Sequence, residues 1–246
     1  MVGTGGSPDT VIGAVLFDAE GIHGNEPPFV GLKIIITGAT GYVGEGVLLE
    51  CLAHAEVEQV LVVGRRSCGR SHPKLKELLV PDFLKMNDAN EQLRGFDGVF
   101  FCSGVSSLGK SEATYTRLTY DTAMAFAKAV LEVSPQATFI YVSGAATDST
   151  EKGRQMWARV KGRTENELSR LGFRQQFNFR PGIMTITPGM RNPKWWMRML
   201  VPVFALPAPG ITNSMKQVGL AMIQAVQQGY PKNVLEVKDI KVLAKG

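Results

Sequence analysis

Apolar residues in this chain fall in two alternating patterns. Short runs rich in apolar residues, continuous in some and interrupted by polar residues in others, occupy Leu32–Ile36, Val57–Val63, Leu75–Val80, Val99–Cys102, Thr138–Val142 and Gln176–Arg180. They are four to seven residues long, rich in β-branched and aromatic side chains, and most stop at glycine, proline or serine, which predicts strands. Between them apolar residues recur at helical spacing. Val43, Val47, Leu48 and Cys51 share one face of a first helix, and Ala123, Phe126, Ala127, Val130 and Leu131 share one face of a helix over Tyr120–Val133. Helices are also expected over Glu151–Leu171 and Thr212–Val226.

Strands that are apolar on both faces and alternate with helices specify a parallel sheet covered on each side. The expected fold class is α/β, a Rossmann-like doubly wound parallel sheet. The link from the second strand to the third is too short for a full crossover helix. The predicted organisation is a flexible N-terminal extension over residues 1–30, which includes a short apolar run at Val11–Phe17 and the breaker Glu26-Pro27-Pro28. A single domain follows over 31–246. Within it, residues 183–215 read as a small lobe or lid, or equally as a hydrophobic cap over the sheet edge, with Trp195, Trp196 and Phe204 among prolines 193, 202, 207 and 209.

Composition narrows the partners. A formal charge of +5, from 27 Lys and Arg against 22 Asp and Glu, is spread without a like-charge run and does not point to nucleic acid. The longest apolar stretch of the later chain, Met199–Leu206, is broken by Pro202 and falls short of the ~20 residues a spanning helix needs, so no membrane span is expected. Three cysteines, Cys51, Cys68 and Cys102, have no metal-ligand spacing. They fit a reducing cytoplasm, and the three histidines are scattered, so no metal site is expected.

The candidate chemistry starts where the first strand ends. Gly38-Ala39-Thr40-Gly41-Tyr42-Val43-Gly44 places three glycines three apart between a strand and a helix, the arrangement that binds a dinucleotide pyrophosphate. Gly38 permits the tight turn, Gly41 the approach of the phosphates and Gly44 the close packing of the helix. The first N–H groups of that helix, with its dipole, then face the anion. A carboxylate about 20 residues further on would bind ribose hydroxyls. Here Val63-Gly64 occupy that place and Arg65-Arg66 follow, so a guanidinium is available for a 2′-phosphate. NADP(H) is expected to be preferred, with NAD(H) also accommodated. Asp82, Phe83, Ser103, Gly104, Ser143, Arg180 and Pro181 fall at or just beyond the carboxyl ends of other strands, where such sheets bind ligands.

From Gly31 to about residue 240 the chain resembles the short-chain dehydrogenase/reductase superfamily, in its extended or atypical branch. The glycine turn, Asp82-Phe83, Ser143, Lys161 and Arg180-Pro181-Gly182 carry the resemblance in order, and the stretch Thr147–Asn166 is similar to a bacterial epimerase- or dehydratase-like subgroup. The resemblance implies that Ser143 orients a substrate carbonyl. It also implies that Lys161 binds the nicotinamide ribose. The tyrosine that donates the proton in that superfamily, four residues before the lysine, is Trp157 here, and Thr119 stands about where many extended members carry asparagine. An indole N–H donates a hydrogen bond but does not exchange its proton near neutral pH. Tyr115, just beyond the fourth strand in an expected loop, is a candidate substitute; Tyr120 begins the next helix. Two readings follow: an oxidoreductase acting on a small, apolar substrate, or a cofactor-binding sensor or scaffold without catalysis.

Overall fold

The computed structural model describes Met1, residues 31–192 and residues 209–245. The expected extension, and Trp195, Trp196 and Phe204 of the expected lobe, lie outside the described residues.

Seven parallel strands form the central sheet: β1 (Leu32–Thr37), β2 (Val57–Gly64), β3 (Leu75–Leu79), β4 (Gly98–Phe101), β5 (Thr138–Val142), β6 (Gln175–Arg180) and β9 (Val234–Glu236). Their spatial order is β3-β2-β1-β4-β5-β6-β9, so the winding reverses between β1 and β4. Two three-residue strands, β7 (Ile183–Thr185) and β8 (Thr212–Ser214), pair in parallel as a separate ribbon. Residues 65–74 join β2 to β3 without a helix, as the short link requires.

The continuous apolar runs are explained by what covers each face. Ile34 and Ile36 of β1 point to one side, where they meet Val47, Leu48 and Cys51 of α1 (Tyr42–Ala53) and Val218 and Met222 of α5 (Met215–Gln228). Ile35 points to the other, among Phe101, Phe139 and the Phe126 and Val130 side chains of α3 (Thr122–Val133). α1 and α5 pack closely because Gly46 and Gly219 bear no side chain: an added Cβ would stand 2.9 Å from Met215 and 2.6 Å from Glu50, respectively.

Three boundaries depart from the sequence pattern. Helical structure begins earlier than Tyr120: α2 (Glu112–Thr116), capped by Ser111 accepting from the Thr114 N–H at 3.2 Å, runs through a wider π turn at residues 117–121 into α3. α4 covers only Met156–Leu168. The residues before it fold on Asp148, whose carboxylate accepts from the Thr150 and Gly153 N–H groups at 3.0 and 2.6 Å. Thr212 starts β8 and not a helix; α5 begins after Ser214, which exchanges capping bonds with Gln217. α6 (Val237–Leu243) closes the described fold.

Candidate active site

The carboxyl end of β1 makes the turn the glycines require. Gly38 has φ +73°, and a Cβ there would stand 2.8 Å from the Cys102 carbonyl and the Ser103 nitrogen. A Cβ on Gly44 would lie 2.2 Å from the Gly38 carbonyl oxygen, so α1 packs against the turn itself. Gly41 is different in kind: it is exposed, and the Gly38 oxygen at 3.2 Å is all that a Cβ would meet within 4 Å. That open side is what a phosphate needs. Glu45 N–H makes the first helical bond, to Gly41 O at 3.0 Å, which leaves the N–H groups of Tyr42, Val43 and Gly44 without helical partners. No side chain caps them, and half-buried Thr40 completes the turn. The Tyr42 hydroxyl is engaged elsewhere: it donates to the Met184 carbonyl of β7 at 2.5 Å, and burial pushes its pKa up to about 12.

Ser103, at the switch point, donates its N–H to Thr37 Oγ1 at 3.2 Å, joining the ends of β1 and β4; Gly104 beside it is exposed. At the β2 end, Arg65 and Arg66 are exposed. Glu77, a carboxylate on the neighbouring strand, is already bonded to Ser67 Oγ and Cys68 N–H at 2.7 and 2.6 Å. Asp82 accepts from the Leu84 N–H at 3.0 Å.

The second cluster sits where β5 ends. Ser143 Oγ is 2.7 Å from Thr147 Oγ1, and both residues are buried. The Trp157 ring lies beside Gly144, 3.6 Å from where a Cβ would be, so the indole faces this cluster and not the core. One helical turn on, the Lys161 ammonium donates to the Val142 carbonyl at 3.4 Å and lies 5.4 Å from the centre of the Tyr141 ring. Burial brings the Lys161 pKa down to about 8, partly opposed by the Glu165 carboxylate. Ser143, Thr147, Trp157 and Lys161 are thus brought together. Thr147 was not singled out by sequence; its signal is the spacing of four from Ser143 across a turn.

The family model for the NAD dependent epimerase/dehydratase family matches residues 34–154, from β1 to the loop after Ser143. The match takes in β1 to β5 and the glycine turn, the part of the chain that would hold a dinucleotide. Among proteins similar in sequence are Protein fmp52-1, mitochondrial, of Aspergillus terreus and Protein fmp52, mitochondrial, of Emericella nidulans. Both are 26% identical, over 161 and 162 residues, spanning 63% and 62% of this chain and 68% and 66% of theirs. Among solved structures, the glucuronic acid dehydrogenase of Chromohalobacter salexigens shares the fold at a TM-score of 0.61 and 16% identity, over 84% of this chain and 76% of its own. The WbmF enzyme of Bordetella bronchiseptica, solved with NAD+, does so at 0.62 and 13%, over 87% and 77%.

Several positions of this chain differ from the sequence expectation. Tyr115 is in α2, not in a loop; it is 2% exposed, and desolvation raises its hydroxyl pKa. A group so enclosed is poorly placed to meet substrate. Tyr120 lies under the Arg163 guanidinium, 4.3 Å from its ring centre. Phe83 is a core residue, its ring 5.4 Å from that of Phe126. Arg180 is the largest correction. Its guanidinium makes a two-point pair with Glu165 and bonds Ser149 Oγ at 2.7 Å and Glu236 at 3.1 Å, so it ties β6 to α4 and β9 and has little left for a cofactor. The Pro181 carbonyl accepts from Asn213 at 3.0 Å. Thr119 falls, buried, in the π turn.

Proposed function

We propose that this protein is an NADP(H)-binding oxidoreductase acting on a small carbonyl or alcohol substrate, apolar in character. The observation that carries the reading is the meeting of Ser143, Trp157 and Lys161 at the end of β5, on the same edge of the sheet as the glycine turn. Gly41 and the N–H groups of Tyr42, Val43 and Gly44 would hold the pyrophosphate, Arg65 with Arg66 the 2′-phosphate, and Lys161 the nicotinamide ribose. Preference for the phosphorylated cofactor is supported by the exposed Arg65 and by the engagement of Glu77 with Ser67 and Cys68, which leaves that carboxylate less free for ribose hydroxyls. When bound, the nicotinamide supplies or takes the hydride.

The chain's own residues do the rest. Ser143 donates its hydroxyl proton to a substrate carbonyl oxygen as a hydrogen bond while accepting one from Thr147. Trp157 walls the pocket against Gly144. Trp157 has no transferable proton and Tyr115 is enclosed, so the proton on the substrate oxygen comes from water. The rate then lacks the ~10²–10⁴-fold that a positioned acid contributes. Lys161, with its lowered pKa, presents an ammonium that loses its charge as pH rises through about 8.

A sensor or scaffold without catalysis is the second reading, favoured by Trp157 itself. Replacing Trp157 with Tyr puts an ionisable hydroxyl one helical turn before Lys161. Under the oxidoreductase reading, Trp157→Tyr changes NADPH oxidation with generic aldehydes or quinones: a gain if the site lacks its acid, a loss if the indole belongs to a working site. No turnover by either protein, with NADPH bound by both, would favour the sensor.

A further inference from the structure

One buried carboxylate near the phosphate turn is untouched by the mechanism above. Glu45, in the first turn of α1, is 1% exposed. Its Oε1 pairs with Arg70 Nη2 and accepts the Arg191 N–H at 2.8 Å; its Oε2 accepts the Asn192 N–H at 2.8 Å. Burial alone would raise its pKa, but these bonds win and hold it below the ordinary carboxylate range. The two contacting segments also hold each other: Arg70 donates to the Gly189 carbonyl at 2.8 Å, and Arg191 to the Gly69 carbonyl at 3.3 Å.

Glu45 is therefore joined to both segments that flank this end of α1. One is the helix-free loop 65–74, which carries Arg65 and Arg66 out of β2. The other is the chain that leaves β7. A loop without secondary structure has no ladder of its own, so side-chain ties fix it: Ser67 and Cys68 to Glu77, and Arg70 to Glu45.

We propose that Glu45 is a positioning residue for cofactor discrimination: through Arg70 it sets the loop that presents Arg65 to the 2′-phosphate, and it locks that loop to residues 189–192. The proposal rests on the 2′-phosphate reading of Arg65. Glu45 touches neither ligand nor reacting atoms; it acts through the loop.

The test is calorimetric titration of the unmodified protein, Glu45→Gln and Arg70→Met with NADPH and with NADH, beside amide hydrogen exchange at Arg191 and Asn192. The expected result is a roughly tenfold loss of NADPH affinity in each variant, with NADH affinity nearly unchanged. A merely structural defect would weaken both cofactors together. Exchange at the two amides should also rise by about tenfold or more in Glu45→Gln. An unchanged NADPH-to-NADH ratio in proteins that fold and bind would overturn the proposal. If the unmodified protein binds the two cofactors equally, the Arg65 reading fails on its own and Glu45 has no discrimination to set. Unaltered exchange at Arg191 and Asn192 in Glu45→Gln would remove the tie itself, whatever the cofactor preference.

Discussion

At the residue scale, function here depends on what each polar group is already bonded to. Arg65 follows β2 and Arg180 ends β6, both at the ligand edge, yet they differ completely. Four of the five N–H groups of the Arg180 side chain are bonded, to Glu165, Ser149 and Glu236, whereas Arg65 is exposed. Replacing Arg65 with Ala should weaken NADPH binding by ~1–3 kcal/mol, the range for losing a charge-assisted hydrogen bond, and leave NADH affinity nearly unchanged by calorimetry. The glycines were legible in sequence because each has a distinct steric duty: φ +73° at Gly38, an open face at Gly41 and, at Gly44, packing against the Gly38 carbonyl that leaves no room for a Cβ. The role of Arg180 was not, because its partners are 15, 31 and 56 residues away in sequence. Glu45 escaped notice for the same reason: Arg191 is 146 positions from it.

At the element scale, α4 is the link between site and scaffold. Its one face carries Trp157, Lys161 and Glu165 at four-residue spacing. Trp157 and Lys161 look to the end of β5, while Glu165, 2% exposed, anchors Arg180. This i, i+4 pattern was readable, and so was the exact extent of β5. The helix start was not, because Asp148 gathers the polar residues before Met156 into a loop that a periodicity count runs through. β9 has three residues and is defined by pairing with β6, so its local sequence gave little signal. Arg180→Met should leave the Glu165 charge buried and unpaired, lowering stability by about 3–5 kcal/mol in urea unfolding; a second change, Glu165→Leu, should recover most of that loss. If Arg180→Met unfolds at the midpoint of the unmodified protein, the pair is not the anchor described here.

At the scale of the whole molecule, the sheet order decides where ligands bind. Winding reverses between β1 and β4, and the crevice outside their carboxyl ends is where such folds take a dinucleotide. The parallel α/β architecture was legible from runs apolar on both faces, since only a sheet covered twice requires them. The match of residues 34–154 to the epimerase/dehydratase family model agrees with that placement. The proposed function requires the glycine turn of this sheet to bind a dinucleotide, NADPH more tightly than NADH. Calorimetric titration of NADPH into the unmodified protein and into Gly41→Val tests it most directly. The branched side chain enters the open face of the turn and leaves the core untouched. Saturable binding by the unmodified protein, tighter than for NADH, should be lost in a Gly41→Val protein that retains its circular dichroism spectrum. Tight binding retained by that folded variant, or no binding of either cofactor by the unmodified protein, would contradict the account.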